Sequence, residues 1–148
     1  MKLLIVIDVQ EEFADLKIVE KIKTILKNYD KVVFGQFVNH GDSPFVKKLN
    51  YLDAFDSKLI DLGANADLVI KRCQYSMVTE ELLKFIADNQ IDEIYLCGFE
   101  TDACVYKTAL DLFEKGYNVY VLKDYCNGFN HQIVIDLLKK QIGNDYVI

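Results

Sequence analysis

The chain has 148 residues and a formal net charge of -6, with 51% hydrophobic and 27% charged residues. This length and composition predict one globular domain over residues 1–148, because a second domain of ordinary size would not fit. The acidic balance disfavours a nucleic-acid partner, since phosphate binding needs a basic surface, and it disfavours a membrane surface for the same reason. We therefore expect neither a nucleic-acid partner nor a membrane-surface role.

Strands and helices alternate along the sequence. Continuous apolar runs predict buried parallel strands, and apolar stripes with capping residues predict the helices between them. In chain order, the predicted elements are strand 3–7, helix 18–26, strand 31–38, strand 66–70, helix 79–89, strand 93–97, helix 103–115, strand 118–122, helix 131–142 and strand 145–148. Residues 39–62 are the least regular stretch. The pattern predicts an α/β fold: an open, six-stranded, mostly parallel sheet of order 3-2-1-4-5-6 with helices on both faces.

The four cysteines are Cys73, Cys97, Cys104 and Cys126, and their spacing matches neither a zinc site nor a Cys-x-x-Cys motif. A chain with a core of this size does not need disulfides to fold. We therefore expect free thiols in a reducing, cytoplasmic compartment, and ask whether one of them is reactive.

Three chemistry-bearing residues follow predicted strands, where the active site of an open α/β sheet lies. They are Asp8, Lys71 and Cys104, and Cys104 begins a predicted helix. A nearby cation and a helix N-terminus lower a thiol pKa, so we expect that of Cys104 below the free value of about 8.5. Asp8 could take the thiol proton and return it to a leaving amine. Each residue alone also fits a structural role, as a core thiol, an exposed lysine or a turn aspartate.

The predicted strand order also makes a geometric prediction about the cation. Lys71 would lie two strands from Asp8, roughly 9–10 Å away at the usual strand spacing, which a long side chain can bridge. We expect its ammonium group within about 4 Å of Asp8 or Cys104, the range in which a charge moves a neighbouring pKa.

Other α/β chemistries lack their motifs. The sequence contains no dinucleotide-binding or P-loop glycine motif and no Gly-x-Ser-x-Gly nucleophile elbow. A receiver-type aspartate is absent after the third strand, where Lys71 stands, and Gln10 replaces the second aspartate that a haloacid-dehalogenase-type phosphatase needs. An Asp, a Lys and a Cys at three strand ends remain.

Four stretches, in order and at the right separations, resemble the isochorismatase-like cysteine hydrolases, which include nicotinamidases, N-carbamoylsarcosine amidase and ureidoacrylate hydrolases. The resemblance covers nearly the whole chain, and its most specific part is the nucleophile loop. The matching residues are Asp8, Gln10 and Phe13 in the opening motif, Lys71 and Thr79 in the central segment, Gly98, Thr101, Asp102, Cys104 and Val105 in the nucleophile loop, and Gly116, Asp124 and Cys126 after it.

The resemblance implies a role for each of these catalytic positions. Cys104 would be the nucleophile, Asp8 the general base and acid, and Lys71 the cation that lowers the thiol pKa. It also implies a cis peptide bond between Phe99 and Glu100, with the backbone N–H groups of Glu100 and Cys104 as the oxyanion hole. The substrate pocket would include Phe13, Tyr75 and Cys126, with its identity determined by residues 12–14, 39–55 and 74–77.

The implied activity is hydrolysis of a non-peptide C–N bond in a small amide or ureido compound through a covalent acyl-enzyme. The resemblance also implies a homodimer or larger homo-oligomer. Nicotinamidases hold a metal after strand two, but here only His40 and Asp42 stand there, at the wrong spacing, so we expect no metal and no cofactor. The alternative is a catalytically silent hydrolase-like protein whose thiol senses oxidants.

Overall fold

A computed structural model describes residues 1–148 as a parallel sheet flanked by helices. The strands are β1 (Lys2–Ile7), β2 (Lys31–Phe37), β3 (Leu68–Arg72), β4 (Glu93–Gly98) and β5 (Asn118–Cys126). The α-helices are α1 (Leu16–Ile25), α2 (Pro44–Leu49), α3 (Glu80–Asp88), α4 (Tyr106–Glu114) and α5 (His131–Ile142). Turns of 3₁₀-helix cover Leu26–Asn28 and Asn144–Tyr146, and a π-helical turn, Thr101–Val105, leads into α4.

The sheet has the order β3-β2-β1-β4-β5, and all neighbouring strands are parallel. From β1 to β3 the chain adds strands on one side of β1, and β4 and β5 are then added on the other side. Right-handed crossovers therefore place α1 and α4 on opposite faces of the sheet. Strand β1 lies at the centre, and its residues 3–7 are buried because both faces are covered. The carboxyl ends of β1 and β4 are therefore neighbours, and the crevice between them is where such a sheet binds its ligand.

The prediction of a sixth strand at 145–148 is wrong, and the sheet has five strands. Gly143 has a φ of 110° and redirects the chain into the 3₁₀ turn Asn144–Tyr146. Only two residues then remain to pair with β5: Val147 forms an isolated parallel bridge with Val121, and Ile148 donates its N–H to the Val121 carbonyl. The outer edge of β5 therefore carries a single β-bridge instead of the predicted sixth strand.

The stretch 39–62 contains a helix that the sequence analysis did not predict. Helix α2 begins after Ser43, whose hydroxyl accepts the Val46 N–H, and Pro44 occupies its first turn. The Asn39 side chain donates to the carbonyls of Tyr51 and Asp53, which ties the segment after α2 to the end of β2. This segment is thereby held beside the carboxyl ends of the strands.

The main core is a cluster of 34 buried hydrophobic residues around β1 and β4, and Phe37, Phe45 and Ala54 form a small second cluster. Helix α1 contributes Val19 and Ile22 to the main core, and α4 contributes Ala109 and Leu112. The amphipathic patterns of these helices are explained by this packing, since their apolar stripes face the sheet. No helix has the length and hydropathy of a membrane-spanning segment.

Gly98 is a position where the backbone tolerates no side chain. Its φ is 114°, and a Cβ atom there would lie 2.1 Å from the Ile7 carbonyl oxygen. We expect Gly98→Ala to lower the free energy of unfolding by at least about 3 kcal/mol, through strain and a backbone clash. Urea denaturation measures this, with Gly41→Ala as the control, because a Cβ at Gly41 meets open space. Equal stability of the two variants would contradict the described close approach.

Candidate active site

Asp8 lies at the carboxyl end of β1 and is only 1% exposed. Its φ of 51° turns the chain out of the strand direction directly after Ile7. Its carboxylate forms a bidentate ion pair with Arg72: Nη1 donates to Oδ1 at 2.6 Å and Nη2 to Oδ2 at 2.9 Å. Paired charges are the usual condition under which ionised side chains are found in a protein interior.

The guanidinium of Arg72 is held on its other edges by backbone carbonyls. Nε donates to the Ser76 carbonyl at 3.3 Å, and Nη2 donates to that of Tyr75 at 3.1 Å. The following residue, Met77, donates its N–H to the Thr108 hydroxyl on α4 at 2.9 Å. The loop after β3 is thereby anchored to α4, the helix that follows Cys104, and the guanidinium stays oriented towards Asp8.

Cys104 lies in the π-helical turn before α4 and is 9% exposed. Burial raises the pKa of its thiol, and the Asp8 carboxylate raises it further by its charge and by hydrogen bonding, while Arg72 lowers it. The prediction that this pKa lies below the free value is therefore wrong in direction. Desolvation and a neighbouring carboxylate outweigh the cation and the helix N-terminus, so the resting thiol is protonated at neutral pH.

The loop between β4 and Cys104 presents an unpaired backbone donor. The Phe99–Glu100 peptide bond is cis, at the position that the resemblance implied. The neighbouring backbone groups are paired: the Phe99 N–H donates to the Ile7 carbonyl, and the Thr101 N–H donates to the Asn127 carbonyl. The Glu100 carbonyl accepts the N–H groups of Ala103 and Val105. The N–H of Glu100 donates to no group of the protein.

The expectation that Lys71 supplies the cation is wrong. Strand β3 is shifted by two residues from the predicted 66–70, so it continues to Arg72. Side chains alternate between the two faces of a strand: Lys71 is exposed, whereas Ile70 and Arg72 are buried. Lys71 makes no ion pair or side-chain hydrogen bond, and Arg72 makes both with Asp8. As expected, a long cationic side chain at the end of β3 reaches Asp8 past β2, but this side chain is that of Arg72 and not of Lys71.

Cys104 and Asp8 lie in a cleft of about 510 Å³. Six aromatic side chains contribute to its lining: Phe13, Phe37, Phe45, Tyr51, Tyr75 and Phe99. Its carboxylates are Asp8, Glu12, Asp53, Glu100 and Asp102. Of the predicted pocket residues, Phe13 and Tyr75 line this cleft.

The placement of Cys126 in the pocket is wrong. Its side chain is 2% exposed and does not line the cleft. Strand β5 continues to Cys126 rather than ending at 122, and Gly98 pairs with Cys126 across a register shift between β4 and β5. The thiol is therefore enclosed inside the sheet, where burial raises its pKa to about 12.

Arg72 is the residue of the candidate site that the sequence analysis missed. The sequence did contain a signal for it: Lys71 and Arg72 are adjacent cations at the end of the third strand. Because side chains alternate along a strand, one of them points to each face of the sheet. Phe37 was also missed: it ends β2 and forms edge-to-face contacts with Phe13 and Phe45, at 6.3 and 5.0 Å between ring centroids. Its apolar character predicted a strand residue and could not distinguish core from cleft wall.

Comparison with known proteins identifies the family. Residues 2–145 match the isochorismatase domain model. The chain belongs to the isochorismatase family. Isochorismatase family protein 2A of Dictyostelium discoideum is 34% identical over 106 residues, which cover 70% of this chain and 46% of that protein. Isochorismatase domain-containing protein 2 of Xenopus laevis is 44% identical over 70 residues, covering 45% and 33%. In both cases the match spans less than half of the relative's length.

Solved structures share the fold of this isochorismatase-family chain. A pyrazinamidase of Pyrococcus horikoshii in complex with zinc has a TM-score of 0.83 at 20% identity, covering 99% of this chain and 98% of its own. The N-carbamoylsarcosine amidase of Thermoplasma acidophilum has a TM-score of 0.78 at 23% identity, covering 94% and 91%. The structural neighbours are thus isochorismatase-like hydrolases with amidases among them.

The residues of this isochorismatase-family chain do not fit a metal at the cleft. No group of three or more His, Cys, Asp or Glu side chains is arranged to hold a metal ion. His40 is exposed, and the Asp42 carboxylate pairs with the Lys47 ammonium at 3.0 Å. Neither His40 nor Asp42 lines the cleft.

Proposed function

We propose that this protein is a cysteine hydrolase that cleaves a non-peptide C–N bond of a small amide or ureido compound through a covalent acyl-enzyme. The observation that carries the proposal is the position of Cys104, in an aromatic-lined cleft beside the buried Asp8–Arg72 pair. A nucleophile, a base within reach of it and a group that orients the base are the components of nucleophilic catalysis.

In the acylation step, the Cys104 sulfur attacks the substrate carbonyl carbon while its proton passes to the Asp8 carboxylate. The raised thiol pKa supports this order, because a thiol that is protonated at rest needs a base at the moment of attack. Arg72 orients the carboxylate through both of its oxygens. Asp8 then gives the proton to the leaving nitrogen as the C–N bond breaks, which releases the amine or ammonia.

In the deacylation step, Asp8 accepts a proton from a water molecule that attacks the thioester carbon. The C–S bond breaks, the carboxylic acid leaves, and the proton returns to the Cys104 sulfur. The developing oxyanion needs donors in both steps, and the unpaired N–H of Glu100 is one donor in the cleft. We assign the Cys104 N–H as the second donor, since it lies in the same loop.

The alternative function, a silent scaffold with an oxidant-sensing thiol, receives less support from the site. Sensor thiols are exposed and ionise readily, because the thiolate is the form that reacts with oxidants. Cys104 is 9% exposed, and its thiol pKa is raised. These properties favour a nucleophile that is activated only when a substrate is in place.

Trapping of the acyl-enzyme tests the proposed function. A panel of small amides, ureido compounds and an activated ester is mixed with the protein. The reaction is quenched with acid, and the mass of the intact protein is measured by mass spectrometry. We expect a single acyl adduct on Cys104 that is absent from Cys104→Ala. Cys73→Ala is the matched control, because Cys73 is a half-buried thiol outside this cleft. An adduct that disappears with Cys73→Ala and persists in Cys104→Ala contradicts the proposed nucleophile.

Self-association remains a prediction of the family resemblance. Ile133 and Leu137 lie one turn apart on α5 and are 64% and 42% exposed, and Phe129, in the turn before the helix, is 93% exposed. A helix face of this kind is a suitable surface for a second copy of the chain. Light scattering tests this: a species at the 17.1 kDa chain mass even at high concentration would contradict it.

A further inference from the structure

The cleft around Cys104 carries an uncompensated negative charge. Five of its fourteen lining residues are carboxylates, and none is basic. The Asp8 carboxylate is neutralised by Arg72, but Glu12, Asp53, Glu100 and Asp102 take part in no ion pair. A cleft lined by one sign of charge attracts a ligand of the opposite sign and disfavours one of the same sign.

The cleft walls are aromatic rings in contact with one another. Phe45 packs edge to face against Phe37 and against Tyr75, with ring centroids 5.0 Å apart in both pairs and interplanar angles of 81° and 82°. Tyr51 lies 6.3 Å from Phe37 at an angle of 52°. Aromatic faces attract organic cations through their quadrupoles, and carboxylates beside them add direct charge attraction. Together these groups suit an ammonium group rather than a metal ion, which requires converging oxygen ligands.

Tyr51 shows that the carboxylates act on the interior of the cleft. Burial raises its pKa to about 12, and the charges of Asp53, Glu12, Glu100 and Cys104 contribute in that order. Glu12 and Asp53 are exposed, whereas Cys104 is nearly buried, so these two carboxylates lie nearer the mouth of the cleft than the sulfur does. The Ser57 hydroxyl donates to the Glu12 carboxylate, and the Asn39 side chain donates to the backbone carbonyl of Asp53, which fixes the backbone that carries the second carboxylate.

Cys104 determines where the reacting end of a substrate lies. Its nearly buried side chain lines the cleft, as does Glu100 with its unpaired N–H. The carbonyl carbon must contact this sulfur, so the rest of the substrate extends towards the rings of Tyr51 and Tyr75 and the carboxylates of Glu12 and Asp53. We propose that the substrate is an amide that carries a cationic ammonium group at the end remote from the scissile bond. This inference rests on the proposed hydrolase function and specifies its substrate class.

Three amides of matched length test the charge preference. They are γ-trimethylammonio-butyramide, its neutral analogue with a tert-butyl group in place of the ammonium, and an amide of the same length ending in carboxylate. We expect kcat/KM for ammonia release to be at least about tenfold higher for the cation than for the neutral analogue, and lowest for the anion. We expect the double variant Glu12→Gln/Asp53→Asn to reduce the ratio of cation to neutral analogue below about threefold.

The matched control is Glu11→Gln/Asp56→Asn. It makes the same change in net charge on the same two segments, at exposed residues that do not line the cleft, so the preference should survive. Calorimetric titration of Cys104→Ala with the three amides measures binding without turnover. Loss of preference in both double variants would overturn the cleft-specific assignment, because it would show only a general effect of net charge.

The possible failures are distinguishable. Hydrolysis of the neutral amide as fast as the cation overturns the cationic substrate class and leaves the hydrolase function standing. Selective binding of the cation to Cys104→Ala, with no hydrolysis of any amide by the unsubstituted protein, supports the cation site and refutes the proposed function. Absence of both binding and hydrolysis overturns the two together.

Discussion

Replacing Asp8 with asparagine is expected to abolish amide hydrolysis while making the Cys104 thiol react faster with iodoacetamide at neutral pH. Loss of the base should lower kcat by about 10²–10⁴-fold. The Asp8 carboxylate raises the pKa of Cys104 by its charge and by hydrogen bonding, whereas Arg72 lowers it. Removing the carboxylate leaves the guanidinium unopposed, so the thiol pKa falls and the thiolate fraction rises.

The rate of alkylation against pH measures this pKa directly, and ammonia release measures turnover. Asp56→Asn is the control, because Asp56 is an exposed acid that does not line the cleft. Slower alkylation of Asp8→Asn at neutral pH would mean that the carboxylate activates the resting thiol, contrary to the proposed order of steps. The opposite movement of the two rates separates a catalytic base from a residue that merely supports the fold.

Replacing Arg72 with methionine is expected to cost about 3–5 kcal/mol of unfolding free energy, because it leaves a buried carboxylate without its partner. Lys71→Met makes the same chemical change at the neighbouring residue, whose side chain is exposed. It should alter stability by no more than about 0.5 kcal/mol. Urea denaturation of the two variants measures the difference, and equal losses would contradict the described pairing of Arg72 with Asp8.

The Arg72 variants also make a prediction about the thiol. Arg72→Met removes the one group that lowers the pKa of Cys104, so the midpoint of its alkylation profile should move to higher pH. Arg72→Lys should fall between the methionine variant and the unsubstituted protein. A lysine keeps the charge but cannot donate to both carboxylate oxygens and to the Ser76 carbonyl in one rigid geometry. An unchanged midpoint in Arg72→Met would show that the guanidinium does not act on the thiol.

The sequence by itself determined the parallel core of the fold and predicted two residues, Asp8 and Cys104, that line the candidate site. The apolar run of residues 3–7, the alternation of strands and helices, and the strand order through five strands were all predicted correctly. Asp8 and Cys104 followed, because the carboxyl ends of parallel strands meet at one edge of the sheet. These predictions depend on local periodicity and on general rules of connection, which a single sequence contains.

Only the tertiary structure decided which cation pairs with Asp8. Lys71 and Arg72 are adjacent, and a shift of one residue in a strand exchanges the faces to which they point. Strand β3 extends to Arg72, whose buried side chain reaches Asp8, whereas Lys71 points from the opposite face into solvent. The residue types alone could not show which of the two cations faces Asp8.

The thiol pKa and the cleft wall were likewise decided by the tertiary structure. The pKa of Cys104 depends on desolvation and on the distance to a carboxylate from another strand, and neither is encoded near Cys104 in the chain. The cleft combines Phe13, Phe37, α2 and Tyr51, which are brought together by long-range packing. Local sequence determines elements and candidate groups, whereas charge environment and pocket shape arise only when distant segments are packed together.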